Sequence, residues 1–329
     1  MQILVVQKQM IIIFIMIVIG SYLYLKGRLS NDTAKQLSWI IVNITNPITL
    51  LLAALKETEK VSALDIGNAF ICFGIMYAIL IPIAYALPVF LGVGKSERYA
   101  YRMLAIFNNV GFIGIPFASA VLGTRSLIFV AICGLCFNLI FYTYGHFALT
   151  REALLQKHDD CLKEDSSGNS SFSLRNMINS GTVMAVITIA VYLSDITVPE
   201  GAVTALSYVG GCTTFLSMLV LGVSVAQMIP KEVFSKWRLY AFVAIRQVLV
   251  PILLIFVLKP FVNNIIAQSS TAHSSLMLST IVIMASMPAA NLPLMQAKHL
   301  GVKDDVLSAG IILTTIASII TIPAVMYFL

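Results

Sequence analysis

The chain has 329 residues, of which 59% are hydrophobic and only 11% are charged. A water-soluble domain carries about 25% charged residues, so this composition excludes one and predicts an integral membrane protein whose partner is the lipid bilayer. The formal net charge of +6 does not indicate nucleic-acid binding, because the basic residues lie in short loops and form no dense basic face.

Ten apolar runs are long enough to cross a bilayer, for which an α-helix needs roughly 20 residues. The only long polar segment, 151–178, separates a first half, 1–150, from a second half, 179–329. Five spans in each half give the halves opposite orientations, which predicts an all-α protein built from two inverted five-helix repeats. The runs are 3–25, 38–55, 66–92, 102–122, 125–149, 179–195, 203–228, 239–258, 275–298 and 305–328.

The loop charges predict how these spans are oriented. If the N-terminus lies outside, fifteen basic residues fall in inner loops and five in outer ones. Because cytoplasmic loops are enriched in Lys and Arg, both termini are predicted to be extracytoplasmic and the linker 151–178 cytoplasmic. We expect a multi-pass protein of a bacterial-type plasma membrane.

The fourth run contains the sequence LAIFNNVGFIGIPFASAVLG, in which Gly111, Gly114 and Pro116 should break or kink the helix near its midpoint. Backbone groups freed by a break cannot face lipid, since each would cost several kcal/mol if left unsatisfied. The break should therefore line an enclosed or watery cavity, which makes it a candidate binding site.

The ninth run is TIVIMASMPAANLPLMQAKHLG. In it Pro288, Asn291 and Pro293 have the same spacing as Gly111, Gly114 and Pro116 in the fourth run. Two interrupted spans in corresponding halves are typical of secondary transporters, whose substrate site lies where the interrupted helices meet. The alternative is a pair of ordinary kinked helices, since Gly and Pro are common in membrane spans.

These two stretches resemble the fourth and ninth helices of the auxin efflux carrier family, which includes bacterial malate-permease-like carriers and plant PIN-type exporters. Weaker matches, NITNPITLLLAAL in the second run and RQVLVP in the eighth, extend the resemblance over nearly the whole chain. It implies a bile-acid/sodium symporter-like fold of ten helices, in which broken helices 4 and 9 cross at Pro116 and Pro293. It also implies organic-anion substrates and a homodimer.

Two site residues follow from the resemblance. Asn109 matches the family's asparagine seven residues before the crossover proline, and Asn46 matches the one before the second-helix proline; both belong to the substrate region. This chain has Ala289, Ala290, Asn291 and Leu292 where the PIN-type exporters have Gln-Gly-Ile-Val. That difference argues against auxin itself as the substrate.

The residues themselves indicate the chemistry of such a site. Free N–H groups at half-helix N-termini favour an anion, and the amides of Asn46, Asn108, Asn109 and Asn291 offer donors to a carboxylate or oxygens to a cation, with Asn109 and Asn291 the preferred candidates. Each asparagine has an alternative interpretation as a cap of broken backbone or an interhelical hydrogen bond.

Arg246 is the only basic residue in the middle of a span, and an intramembrane charge is costly enough to suggest a function. It could bind the substrate carboxylate, or neutralise carbonyls of the broken helices as a structural counter-charge. A third alternative is that its side chain reaches toward the inner face.

All fifteen acidic residues fall in loops or at span ends, which argues against a proton antiport based on carboxylates. The sequence predicts potential-driven uniport of a small organic acid; the alternatives are a sodium-coupled symporter and a membrane sensor that binds its ligand without transport. We find no convergent catalytic group and no metal-ligand pattern, so neither an enzyme nor a cofactor is expected, apart from a sodium ion in the symporter alternative.

Overall fold

The computed structural model describes residues 2–56, 62–160, 180–194, 196, 198–227, 237–266 and 271–329. Within these ranges the protein consists of helices and contains no β-strand, which confirms the predicted all-α class. The α-helices, labelled α1 to α15, are Gln2–Leu25, Asn31–Ile40, Asn46–Lys56, Ala63–Phe90, Arg98–Ile106, Ile115–Leu122, Leu127–Ile140, His146–Asp160, Ser180–Leu193, Glu200–Ala226, Trp237–Ala244, Val250–Ile266, Thr271–Ser286, Asn291–Leu300 and Asp305–Met326.

Seven helical stretches in the described ranges are long and apolar enough to cross a membrane, which confirms a membrane-embedded protein. They coincide with seven of the ten apolar runs, and three shorter apolar helices coincide with the other three. Residues 161–179, which make up most of the predicted linker, lie outside the described residues. The seven are Val6–Leu25, Asn31–Lys56, Ala63–Phe90, Thr124–Gln156, Glu200–Ala226, Trp237–Asn263 and Asp305–Met326; the three are Val110–Leu122, Gly181–Leu193 and His273–Ser286.

Several spans contain a five-residue π-helical turn, and three of these turns come just before a proline: Pro47, Pro116 and Pro251. Proline cannot donate to the carbonyl one turn back and its ring collides with that carbonyl. The wider π-turn relieves both problems without ending the helix, and such turns are frequent at functional sites. The three turns are Ile41–Thr45, Val110–Gly114 and Ile245–Leu249.

Helices α1 and α10 approach so closely that their backbones touch. A Cβ atom at Gly222 would lie 2.2 Å from the carbonyl oxygen of Ile17 and 2.8 Å from the Cα of Gly20. The Ser21 hydroxyl donates to the Gly222 carbonyl at 2.7 Å. Small residues allow this approach between membrane helices, and we call the contact the glycine seam.

Helix α10 also contacts α3, the helix that begins at Asn46. The hydroxyl groups of Thr49 and Thr213 lie 2.9 Å apart, and that of Thr49 donates to the Gly210 carbonyl at 3.2 Å. Helices α1, α3 and α10 are thereby joined on the side of Asn46.

The turn between α14 and α15 is held by helices from the other half of the chain. The Lys303 N–H donates to Gln156 Oε1 at 3.0 Å, and the Tyr99 hydroxyl donates to the Lys303 carbonyl. Gly301 ends α14 with φ +70, a conformation that favours glycine. These contacts fix the C-terminal end of α14 relative to α5 and α8.

Candidate functional site

The fourth and ninth runs are both interrupted, and the two interruptions lie against each other. The Asn109 N–H donates to the Pro288 carbonyl at 2.8 Å, and the Ala290 N–H to the Phe107 carbonyl at 2.9 Å. Asn108 and Ala289 form an isolated antiparallel bridge between them. We call residues 107–109 and 287–290 the paired breaks; each satisfies backbone groups that the other has freed.

The paired breaks differ in position from the sequence expectation. Gly111 and Gly114 belong to the π-turn that follows the first break, and Pro116 lies in the first turn of α6. Pro288 lies inside the second break, whereas Pro293 lies in the first turn of α14, where a missing N–H costs little. Pro116 and Pro293 therefore flank the contact, whereas the Pro288 carbonyl takes part in it, and the bridge pairs Asn108 with Ala289.

Arg246 lies next to the paired breaks and is only 2% exposed. Its guanidinium group donates to the Met287 carbonyl at 2.5 Å and to Oδ1 of Asn108. The Asn108 amide in turn donates to the Met284 carbonyl at 2.8 Å. Both observed guanidinium contacts are thus with polar groups of the interrupted helices.

Met284 and Met287 lie at the C-terminal end of α13, where the helix dipole concentrates partial negative charge. A cation at this end is stabilised by the free carbonyl groups. Across the described ranges no carboxylate lies within ion-pair distance of Arg246. Of the alternatives for Arg246, this geometry favours the structural counter-charge.

Thr314 on α15 and Gln247 in the eighth span hold the second break in place. The Ala289 N–H donates to the Thr314 hydroxyl oxygen at 3.1 Å, and the Gln247 amide donates to the Thr314 carbonyl at 2.8 Å. The sequence analysis did not select Thr314, since one threonine in an apolar run carries no signal. Gln247 had a signal, as a polar neighbour of Arg246 within a span.

Replacing Thr314 by valine should destabilise the protein by about 1–3 kcal/mol, because it leaves the buried Ala289 N–H without an acceptor. Thermal unfolding in detergent measures the effect. Thr315→Val is the matched control, since the Thr315 hydroxyl donates only to the Ile311 carbonyl of its own helix. Equal losses in the two variants would show that the hydrogen bond to Ala289 contributes nothing specific.

Asn109 is the last residue of the first break and is 3% exposed. The backbone turns at this residue, with φ −77 and ψ 69, and the Val110 N–H donates to the Asn108 carbonyl at 2.8 Å. Its Oδ1 accepts from the Phe112 N–H at 3.1 Å and caps the π-turn. Its Nδ2 is buried and has no hydrogen-bond partner in the part of the chain that the structure describes.

Asn46 and Asn291 also have buried amide oxygens with no partner among the described residues. The Asn46 Nδ2 donates to the Gly111 carbonyl at 3.2 Å, which joins α3 to the π-turn after the first break. Asn291 is the first residue of α14, and Ala290 at the N-cap position makes no side-chain hydrogen bond to the start of that helix. Buried polar atoms normally have partners, so these three asparagines have capacity for a ligand or water.

The structure thus brings Asn46, Asn109 and the start of α14 close to the paired breaks, while Arg246 contacts the breaks through Met287 and Asn108. Interrupted membrane helices that meet at their breaks, beside unsatisfied buried amides, define the architecture of a membrane carrier.

Comparison with known sequences gives the same class. The sequence model of the family described as "Membrane transport protein" matches residues 5–326, and the chain belongs to this family. It is also similar to a protein of Methanothermobacter thermautotrophicus described as "Uncharacterized transporter", with 22% identity over 316 residues and 94% of each chain covered. The resemblance to auxin efflux carriers is thereby confirmed, and a transporter family is consistent with the expectation of a non-enzyme.

Proposed function

We propose that this protein is a secondary transporter that moves a small organic anion, such as a carboxylate, by alternating access around the paired breaks. The observation that carries the proposal is the buried Nδ2 of Asn109, a donor that has no partner among the described residues, beside the uncapped start of α14. Asn46, Asn109 and Asn291 would form the substrate site.

An anion suits this site because of its donors. The N-terminus of α14 contributes N–H groups and partial positive charge, and the Asn109 Nδ2 adds a donor that has no partner. Arg246 makes its hydrogen bonds with Met287 and Asn108, which belong to the paired breaks. We therefore propose that Arg246 positions the paired breaks and that the carboxylate binds on the side of Asn109.

Potential-driven uniport is the mode of coupling that we favour. A proton-coupled carrier needs a titrating group near its substrate, and the acidic residues of this sequence lie in loops or at span ends. An anion that binds only neutral amides and N–H groups carries its charge across the membrane and so responds to voltage.

Sodium-coupled symport is the second candidate, favoured by the unpartnered amide oxygens of Asn46 and Asn291. Hard cations bind oxygen ligands, and two amide oxygens with nearby carbonyls could supply part of such a site. Sodium is the one cofactor ion that we propose for this mode.

We further propose that the chain contains ten spans in two inverted repeats, 1–150 and 179–329, joined by a cytoplasmic linker at 151–178. Support comes from the match between the apolar runs and the helices and from the corresponding positions of the two breaks. On this proposal, helices 4 and 9 cross at the paired breaks, both termini are extracytoplasmic, and the carrier works as a homodimer in a plasma membrane.

Flux measurements in proteoliposomes test the function. A screen of carboxylic acids for thermal stabilisation first identifies a ligand, since a molecule that binds the native state raises its stability. We expect saturable flux of that acid under an imposed voltage, without a requirement for a pH or sodium gradient. Flux that requires sodium would favour the symporter, and saturable binding without flux would favour the sensor and contradict transport.

A further inference from the structure

A second cluster of polar side chains lies away from the paired breaks, where α4, α5 and the span Thr124–Gln156 meet. The guanidinium carbon of Arg102 lies 4.1 Å from the ring centroid of Tyr85. The hydroxyl of Tyr144 donates to that of Tyr85 at 3.0 Å. None of these three residues contributes to the site proposed above.

Arg102 has unused hydrogen-bonding capacity. Its Nε is enclosed and has no partner among the residues that the structure describes, and none of the observed ion pairs includes its guanidinium group. The Tyr85 oxygen accepts from Tyr144, which leaves the Tyr85 O–H free to donate. A guanidinium fork beside a phenol donor is suited to an oxyanion such as phosphate.

The cluster lies close to one end of its helices. Tyr85 is five residues before the end of α4, or about 7 Å at 1.5 Å per residue, and Arg102 is about 6 Å from the start of α5. This is the depth at which Tyr side chains gather in membrane proteins and at which lipid headgroups begin.

The surface around the cluster is apolar and exposed. Pro82, one turn before Tyr85 and nearer the bilayer interior, is exposed, and Leu139, five residues before Tyr144, is 53% exposed. In a membrane protein such a surface faces acyl chains, whereas a path for an organic acid would be lined by polar groups.

We propose that Arg102, Tyr85 and Tyr144 bind the phosphate of an anionic phospholipid in the leaflet next to the turn between α4 and α5. The guanidinium group and the Tyr85 O–H contact the phosphate oxygens, and the acyl chains lie along the apolar surface near Pro82 and Leu139. Because α5 leads directly into the first break, a bound lipid stabilises the helix that carries the substrate site. Basic pockets between membrane helices bind lipid headgroups by the same chemistry.

The test compares lipid binding by the purified full chain and its variants. Phosphatidylglycerol, phosphatidylcholine or inorganic phosphate is added in detergent, and thermal stability and lipid retained in native mass spectrometry are measured. We expect phosphatidylglycerol to stabilise the protein, and phosphatidylcholine and inorganic phosphate to have no such effect. Arg102→Gln should weaken its retention about tenfold or more, as expected for loss of a hydrogen bond to a charged group.

Tyr85→Phe removes the donor but keeps the ring, so it should fold and bind phosphatidylglycerol more weakly. Arg28→Gln is the control, because it removes one exposed positive charge and should change nothing. Phosphatidylglycerol stabilisation that is unchanged in both Arg102→Gln and Tyr85→Phe would overturn the proposal. Equal stabilisation by inorganic phosphate would overturn the lipid assignment. Unchanged lipid retention with lost flux in Arg102→Gln would instead assign this arginine to the substrate path.

Discussion

Replacing Arg246 by glutamine should destabilise the protein by about 2–6 kcal/mol while the folded fraction keeps its affinity for the anion. The change leaves the Met287 carbonyl and Oδ1 of Asn108 without their charged donor in a buried place, and each buried polar group left unsatisfied costs roughly 1–3 kcal/mol, so two of them cost about 2–6 kcal/mol. Thermal unfolding and ligand titration of the same preparation measure the two quantities.

Arg238→Gln is the control for this substitution, since Arg238 is exposed on the neighbouring helix α11 and its loss should leave stability unchanged. Arg246→Lys should recover only part of the stability, because an ammonium group lacks the planar fork that contacts two acceptors. A strong loss of anion affinity at unchanged stability would place the guanidinium group in contact with the substrate and refute the positioning role.

Replacing Asn109 by aspartate should abolish transport while the protein still folds. Aspartate caps a helix start about as well as asparagine, so the hydrogen bond from the Phe112 N–H is kept. The substitution removes the Nδ2 donor and places a negative charge where the carboxylate would bind. We expect a loss of flux of about 100-fold or more, the effect of nearly 3 kcal/mol.

Two other variants complete this experiment. Asn109→Ala removes the cap as well as the donor, so it should also abolish flux while the protein still folds, with some loss of stability. Asn31→Asp makes the same chemical change at the exposed start of α2 and should transport normally. Flux at the native rate in Asn109→Asp would remove Asn109 from the substrate site.

The sequence was sufficient to locate the two interrupted helices but not to place their breaks. Gly111, Gly114 and Pro116 indicated a disturbance in the fourth run, and the structure contains one, yet the extended residues begin at Phe107. A proline can be accommodated by a π-turn as well as by a break. The choice depends on whether a partner satisfies the freed backbone, and here the partner comes from the second half of the chain.

The different roles of the two neighbouring asparagines could not be predicted from the sequence either. Asn108 and Asn109 are the same residue type at adjacent positions, but the first contacts Arg246 and Met284 while the second has an unpartnered amide. The difference arises from tertiary contacts, because Arg246 and Met284 come from the second half of the chain, whereas Asn109 caps the π-turn that follows it. Sequence reasoning named both amides as candidate ligands and preferred Asn109, but it gave no sign that Asn108 accepts from Arg246.

The glycine seam limits how this protein can move. Sliding α1 along α10 by even one residue would press a backbone carbonyl into a side chain, because only Gly222 leaves room for Ile17 and Gly20. These two helices must therefore move as one rigid unit. Any shape change that admits a solute has to occur at another boundary, and the single amide contact from Asn46 to Gly111 is far easier to exchange.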